Sequence, residues 1–216
     1  MIISVKRSNT KWNTVLLVGP TGSGKTPLGQ LLGEKGLRGM RCLHFDFGEA
    51  LRTSVTRRTG HLTHSEFDVA QKSLETGTLL ENENFSIAKK LLANYLAERS
   101  ANRDTLIVLN GLPRHIGQAK AMEDLIEMQA VVNLKCEPVT ALDRIRTNAG
   151  GDRRERDDDI LEEIQQRLAV FRMRTAPLLE YYHRLGVPVL PLDIVVKTTA
   201  KEMRLQLNAK WSRIMR

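Results

Sequence analysis

The chain has 216 residues, of which 41% are hydrophobic and 27% charged, a composition that fits one globular domain better than two. No apolar run approaches the roughly 20 residues of a transmembrane helix, and residues 1–12 lack the apolar stretch of a signal peptide. These features, and two cysteines that we expect to be reduced thiols, predict a cytoplasmic protein without a membrane partner. The formal net charge of +8 favours polyanionic partners, but it does not distinguish nucleic acid from the phosphates of a nucleotide.

Strand and helix signals alternate along the chain. A run rich in β-branched residues predicts a strand at 14–18, and leucines at helical spacing predict a helix that ends near Gly36. The other predicted elements, in order, are a strand at 41–45, helices within 48–100, a strand at 105–109, a helix at 116–128, a strand at 130–134, a helix at 138–147, a long helix at 160–184 that Pro177 kinks, a strand at 187–192 and a helix at 200–214. This alternation predicts an α/β fold with a parallel sheet of about five strands and helices on both faces.

The segment between the first strand and the first helix has the pattern of a P-loop, Gly19-Pro20-Thr21-Gly22-Ser23-Gly24-Lys25-Thr26. Its glycines let the backbone curl so that successive N–H groups point at phosphate oxygens, and the helix N-terminus adds the positive end of its dipole. Lys25 is expected to reach the β- and γ-phosphates of ATP, and the Thr26 hydroxyl is expected to ligate Mg²⁺. The sequence therefore predicts a P-loop NTPase whose ATP site includes Gly19, Thr21, Gly22, Ser23, Gly24, Lys25 and Thr26.

Two segments that follow predicted strands resemble adenylate kinases and the wider nucleoside monophosphate kinase family. Gly48-Glu49-Ala50-Leu51-Arg52 is similar to the family's Gly-Asp-Leu-Leu-Arg, whose arginine grips the acceptor phosphate. Asn110-Gly111-Leu112-Pro113-Arg114 is similar to Asp-Gly-Phe-Pro-Arg, whose arginine binds the same phosphate. The resemblance implies acceptor-binding roles for Arg52 and Arg114, and for Gln118, which falls where the family has a glutamine that recognises the acceptor base.

The second half of the chain carries further matches, so the resemblance extends from Val15 to about Leu192. Asp143-Arg144-Ile145 resembles a segment whose arginine, here Arg144, lies against the donor adenine. The run from Arg156 to Asp159, Arg167 and the run from Thr175 to Tyr182 resemble the signature that follows the family's lid. The resemblance implies one domain over residues 1–216, with a helical acceptor-binding insert at about 48–100 and a short lid at about 148–159. It also implies that the transferred phosphoryl group meets Lys25, Arg114, Arg156 and Arg167.

Three positions depart from the family's pattern, and a fourth offers a replacement. Asn110 stands in place of an aspartate that helps to hold the waters of Mg²⁺, Phe47 replaces a small hydroxyl residue, and Asn148 falls where a second arginine belongs. Asp46 ends the second predicted strand, and three roles are open for it. The first role is a Mg²⁺ ligand that restores the lost carboxylate. The second is a general base toward an acceptor hydroxyl, as in shikimate- and gluconate-type kinases, and the third is a helix cap. We favour the metal, which makes Thr26 and Asp46 the predicted Mg²⁺ ligands.

The sequence thus predicts an ATP-dependent phosphotransferase that acts as a monomer and moves the γ-phosphoryl group to a nucleoside monophosphate, with Mg²⁺ as cofactor. The alternatives are a small-molecule alcohol kinase that uses Asp46 as base and a non-catalytic nucleotide-binding protein. The loop also resembles that of tRNA dimethylallyltransferases, but the chain lacks their Asp-Ser-x-Gln segment. Aromatic residues make up 5% of the chain and do not interleave with a basic patch, which argues against a nucleic-acid partner. The expected partners are therefore ATP and a small acceptor that bears a phosphate or a hydroxyl.

Overall fold

Five parallel strands form the central sheet of the computed structural model, which describes residues 11–59, 61–151 and 161–214. The strands are β1 (Trp12–Val18), β2 (Cys42–Asp46), β3 (Leu106–Asn110), β4 (Ile126–Lys135) and β5 (Val189–Asp193). Their order across the sheet is β2-β3-β1-β4-β5, and each neighbouring pair runs parallel. The predicted α/β fold with a five-stranded parallel sheet is confirmed.

Helices connect the strands and cover both faces of the sheet. They are α1 (Lys25–Lys35), α2 (Phe47–Arg57), α3 (His64–Thr76), α4 (Phe85–Glu98), α5 (Ile116–Met122), α6 (Pro138–Arg146), α7 (Leu161–Val170), α8 (Pro177–Arg184) and α9 (Ala200–Ile214). A 3₁₀ turn, Asn82–Asn84, precedes α4, and a π-helical turn, Phe171–Thr175, follows α7. Within the described ranges, no helix is both long enough and apolar enough to cross a membrane.

Two apolar clusters lie on opposite faces of the sheet. Val15 and Leu17 of β1 belong to one cluster, and Leu16 and Val18 belong to the other, because successive side chains of a strand point to opposite faces. Residues of α1 and α9 complete the first cluster, whereas residues of α2 to α5 and α8 complete the second. The strands are therefore buried on both sides, and their polar groups reach the surface mainly at their ends.

The predicted helix at 116–128 is wrong in its last third, which is a strand. α5 ends at Met122, and β4 begins at Ile126, four residues before the predicted start. Trp12 pairs with Ile126, and Thr14 pairs with Met128, so this part of β4 extends the sheet along the start of β1. The apolar spacing of the sequence fits a helix, but the pairing with β1 satisfies the backbone groups of both strands and overrides that preference.

The long helix predicted at 160–184 is interrupted just before Pro177. α7 ends at Val170, and the backbone N–H of Ala176 then donates to the carbonyl of Phe171 at 2.8 Å, a bond that spans five residues. Pro177 has no N–H to donate, and it is the first residue of α8, the helical position that tolerates proline best. The expected kink thus takes the form of a π-helical turn. The predicted lid at 148–159 lies largely outside the described residues, and so does Arg156.

α1 carries two glycines on the side that faces β2. A Cβ added to the buried Gly29 would overlap the ring of His44. A Cβ added to Gly33, one turn later, would lie 3.6 Å from His44 Cβ, which is ordinary van der Waals contact. Glycine inside a helix costs about 1 kcal/mol relative to alanine, so a lack of space explains Gly29 but not Gly33.

We expect Gly29→Ala to lower the free energy of unfolding by about 1–3 kcal/mol, because the overlap with His44 outweighs the gain in helix propensity. Gly33→Ala is the matched control, and it should raise the free energy of unfolding by up to about 1 kcal/mol. Urea denaturation of both variants measures the difference. Stabilisation by both substitutions would contradict the packing of His44 against α1.

Candidate phosphoryl-transfer site

A cavity of about 260 Å³ opens where β1, β2 and β3 end. Ligands of open α/β sheets bind at this edge, beyond the carboxyl ends of the strands. The P-loop forms one wall, and the region from α2 to Leu80 forms another, with α7 and the π-helical turn nearby. The cavity brings together most of the predicted site residues, namely Gly19, Thr21, Gly22, Gly24, Lys25, Thr26, Asp46, Arg52, Arg114, Gln118, Arg144 and Arg167.

The P-loop has the curled backbone that its glycines predict. Gly22 and Gly24 have φ angles of 80° and 94°, a left-handed conformation that side chains disfavour, and Gly24 is the N-cap of α1. A Cβ on Gly22 would also lie 2.7 Å from the carbonyl oxygen of Ala141 in α6. Lys25 Nζ donates to the carbonyl oxygens of Gly19 and Pro20 at 2.7 and 2.8 Å. The ammonium group is therefore held at the mouth of the loop, where phosphates would arrive.

Of the residues predicted for the ATP site, Ser23 is the one that does not line the cavity within the described part of the chain. Its side chain is fully buried, and its Oγ has no hydrogen-bond partner among the described residues. Its backbone N–H donates to the carbonyl of Pro20 at 3.2 Å, a bond that closes the turn. The described contacts of Ser23 thus shape the loop, and its contact with ATP stays a prediction.

Thr26, Asp46 and Asn110 form a hydrogen-bonded group beside the P-loop. Thr26 Oγ1 donates to Asp46 Oδ2 at 2.8 Å, and Asn110 Nδ2 donates to the same oxygen at 2.6 Å and to Thr26 Oγ1 at 3.0 Å. Asp46 and Asn110 lie opposite each other at the ends of β2 and β3, so the register of the sheet brings them together. The sequence identifies Asn110 only as the replacement of a family aspartate, and it does not predict this contact.

Asp46 also caps α2, as one of its three predicted roles required. Its Oδ1 accepts the backbone N–H of Glu49 at 3.1 Å, while Oδ2 faces Thr26. The two roles use different oxygens, so capping does not exclude metal binding. A hydroxyl and a carboxylate are hard oxygen donors that suit Mg²⁺, an ion that usually keeps several waters and needs few protein ligands. No group of three or more His, Cys, Asp or Glu residues in the described ranges could form a full metal cage.

Three arginines border the acceptor side of the cavity, and Arg114 is the most enclosed of them. Burial, together with the charge of nearby Arg167, lowers the pKa of the Arg114 guanidinium to about 10, and Asp46 opposes this shift. The group is still charged at neutral pH. No acidic side chain of the described residues forms an ion pair with Arg114, whereas Arg167 Nη2 lies 3.4 Å from Glu163 Oε2. Arg52 is exposed at the rim. The arrangement is suited to an anion.

Arg144 is 2% exposed, and it joins the P-loop to the segment that follows β5. Its Nε donates to the carbonyl of Gly22 at 2.9 Å, and its Nη1 donates to the carbonyls of Val195, Val196 and Thr198 at 2.8–2.9 Å. These contacts support the loop from behind. The predicted contact of Arg144 with the donor adenine stays a prediction.

Gln118 is 1% exposed, and both ends of its amide are engaged. Its Oε1 accepts the backbone N–H of Arg114 at 2.7 Å, and its Nε2 donates to the carbonyl of Leu80 at 2.8 Å. Gln118 borders the cavity, but these bonds direct its polar atoms to the protein backbone. Its predicted recognition of an acceptor base also stays a prediction.

A match to the adenylate kinase family model covers residues 17–187, most of the chain. The chain belongs to the adenylate kinase family. Its relatives include an adenylate kinase of Prochlorococcus marinus, 30% identical over 182 residues that cover 81% of this chain and 86% of the relative. Another, from Thermobifida fusca, is 29% identical over 178 residues that cover 80% and 86% of the two chains. The predicted family is confirmed.

Solved structures of other kinases share the fold of this adenylate kinase family member. A gluconokinase from Sinorhizobium meliloti has a TM-score of 0.54 and 19% identity, and the match covers 94% of this chain and 93% of that one. A shikimate kinase from Acinetobacter baumannii has a TM-score of 0.50 and 18% identity, with 96% and 97% covered. At these identities the likeness concerns the fold, and it confirms the P-loop kinase architecture. The protein is a P-loop phosphotransferase.

We expect Lys25→Ala to weaken ATP binding and to lower turnover by at least about 10²-fold, because a preorganised cation at the transferred phosphates is lost. Lys135→Ala is the control, since Lys135 is an exposed lysine at the end of β4 whose nearest acid, Asp193, is 3.9 Å away. Calorimetric titration with ATP and a steady-state assay measure the two effects. Wild-type ATP affinity in Lys25→Ala would rule out the assigned donor site.

Proposed function

We propose that the protein is an ATP-dependent nucleoside monophosphate kinase. The observation that carries this proposal is the partly buried Arg114 guanidinium, which lines the same cavity as the P-loop and forms no ion pair with an acid of the described residues. A buried cation is unfavourable unless an anion compensates it. An acceptor phosphate at Arg114 supplies that anion, and Arg52 and Arg167 border the same space.

The hydrogen bonds of Asp46 favour a phosphate acceptor over a hydroxyl acceptor. A general base needs a free lone pair directed at the acceptor proton. Asp46 Oδ1 accepts the Glu49 N–H, and Oδ2 accepts bonds from both Thr26 and Asn110. Both oxygens of the carboxylate are thus engaged by protein donors, and neither is directed at an acceptor hydroxyl. A nucleoside monophosphate needs no base, because its phosphate is already an ionised nucleophile.

The remaining lining of the cavity supports an acceptor with a flat apolar part. Phe47, Leu51, Leu74 and Phe171 supply apolar side chains on the acceptor side, beyond the arginines. Phe47 is 6% exposed and packs 6.4 Å from Phe45 between ring centroids, so it is a fixed wall. A nucleoside base fits this combination of apolar wall and cationic end better than a polyhydroxy acid does.

The chain's own residues divide the work of phosphoryl transfer as follows. Lys25 neutralises the β- and γ-phosphates of ATP, and Arg114 with Arg52 holds the acceptor phosphate in line with them. Thr26 and Asp46 would hold Mg²⁺, and Asn110 orients the Asp46 carboxylate through its amide. When bound, Mg²⁺ neutralises charge on the phosphates and orients them. The lid contribution of Arg156, outside the described residues, remains part of the proposal.

A coupled ADP-release assay tests the proposal, with MgATP and a panel of nucleoside monophosphates, gluconate and shikimate as acceptors. We expect turnover with at least one nucleoside monophosphate and none with the alcohols. Turnover with an alcohol alone would instead support the alcohol kinase with Asp46 as base. ATP binding without transfer to any acceptor would support a nucleotide-binding protein.

We expect Arg114→Ala to raise the acceptor KM or to lower kcat by about ten- to a hundredfold, with ATP affinity nearly unchanged. The loss corresponds to one charge-assisted, bidentate phosphate contact, commonly worth about 1.5–3 kcal/mol. Arg184→Ala is the control, since Arg184 pairs with Glu180 on the exposed side of α8 and is not among the residues that line the cavity. Acceptor titrations at saturating ATP measure the effect, and an unaltered titration would remove Arg114 from the site.

We expect Asp46→Asn to shift the Mg²⁺ titration of activity to higher concentration by about 10- to 100-fold, with substantial recovery at saturating metal. Loss of a general base would instead lower turnover by about 10²- to 10⁴-fold at every metal concentration. Asp104→Asn is the control, because Asp104 is an exposed acid in the turn before β3. An unshifted titration with normal turnover would leave Asp46 as a helix cap alone.

A further inference from the structure

The peptide groups of Arg114 are held by side chains on both sides. The Arg114 N–H donates to Gln118 Oε1 at 2.7 Å, and the Thr175 hydroxyl donates to the Arg114 carbonyl at 2.8 Å. Gln118 lies one turn along α5, whereas Thr175 is the last residue of the π-helical turn. The backbone of Arg114 is therefore fixed to two different segments.

The same two segments are joined a second time through the loop before the 3₁₀ turn. Gln118 Nε2 donates to the Leu80 carbonyl at 2.8 Å, so Leu80 is tied to α5. Arg174 Nη2 then lies 3.1 and 3.0 Å from the two carboxylate oxygens of Glu81, the residue that follows Leu80. Since Arg174 precedes Thr175, the contacts close on themselves. This closed circuit, named the Arg114 ring below, consists of Arg114, Gln118, Leu80, Glu81, Arg174 and Thr175.

The ring has a buried side and an exposed side. Gln118 is enclosed in the core, whereas the side chains of Glu81 and Arg174 are 51% and 42% exposed. The hydrogen bond from Arg174 is the main cause that lowers the pKa of the Glu81 carboxyl, and His115 adds to it. The Glu81–Arg174 ion pair can therefore be removed or charge-reversed by substitution without leaving a cavity in the core.

We propose that the Arg114 ring positions Arg114 for the acceptor phosphate and makes its position depend on both the insert loop and the π-helical turn. Gln118, Thr175 and the Glu81–Arg174 pair are then positioning residues. Gln118 acts on the backbone of Arg114 through its Oε1. The inference rests on the proposed function, because Arg114 needs an acceptor phosphate to position.

The location of the ring explains why its position would matter for transfer. Leu80 and Thr175 border the cavity, together with Leu79 and Phe171, so an acceptor that fills the cavity touches both linked segments. Small displacements of a positioning group lower transfer steeply, because the attacking oxygen must stay in line with the γ-phosphate. Loss of the Gln118 or Thr175 contact frees one peptide group of Arg114, whereas loss of the Glu81–Arg174 pair unties the two segments that hold it.

Charge reversal of the exposed link tests the proposal. Glu81→Arg and Arg174→Glu should each lower kcat/KM for the acceptor about three- to tenfold, with ATP affinity unchanged, since an ion pair becomes a like-charge contact. The double reversal should return kcat/KM to within about twofold of the wild type. Thr175→Val, which removes the hydroxyl at constant shape, should match the single reversals, and Thr175→Ser should stay near the wild type.

Hydrogen exchange of the Arg114 amide gives a second measurement that needs no acceptor. The single reversals and Thr175→Val should speed its exchange, and the double reversal should restore protection. Reversal of the Glu180–Arg184 pair on α8 is the matched control, an exposed pair with Arg184 Nε 2.7 Å from Glu180 Oε1, and should change neither measurement. If the Arg114 amide exchanges at the wild-type rate in the single reversals, the proposed ring is wrong. Faster exchange of this amide with unchanged acceptor kcat/KM would also overturn the proposal. Faster exchange in a protein that transfers to no acceptor overturns the proposed function and leaves the coupling intact.

Discussion

The site depends on one cationic side chain at the end of a parallel sheet, because its charge must be compensated by anions. Arg114 follows β3, where the apolar core ends, and its guanidinium is partly withdrawn from water without an ion pair to an acid of the described residues. Such a group is tolerated when a nearby carboxylate offsets part of the charge and a bound anion offsets the rest. Asp46 lies close enough to favour the charged form of Arg114, and the cavity is open to a phosphate.

The site also needs a carboxylate next to Thr26 of the P-loop. The ends of two neighbouring strands, β2 and β3, together provide and orient it. β2 ends in an acid and β3 ends in an amide, and the register places these residues side by side. The Asn110 amide can donate where a second carboxylate would repel, so it holds Asp46 toward Thr26 without added negative charge. In a parallel sheet all strand ends meet at one edge, and the carboxylate can therefore come from either strand.

The sequence predicts those parts of the molecule that local chemistry determines. The P-loop, the strand ends at Asp46 and Asn110 and the interruption near Pro177 all follow from neighbouring residues. The contact of Gln118 with Leu80 and the contacts of Arg144 could not be predicted, because each joins segments far apart in the chain. β4 begins early for a similar reason, since only pairing with β1 makes residues 126–128 extended. Gly29 looks like a weak point of α1 until the ring of His44 is placed against it.

The contacts of Arg144 have a consequence for the order in which the protein can be assembled during synthesis. The P-loop leaves the ribosome early, yet its support at Gly22 depends on a guanidinium that also donates to the carbonyls of Val195, Val196 and Thr198. Until those residues have been made, Arg144 lacks most of its buried hydrogen-bond acceptors and favours a solvated position. A nascent chain that already carries the P-loop and α6 therefore still has a loosely held phosphate loop. The nucleotide site matures only when the last strand and the segment after it have been added.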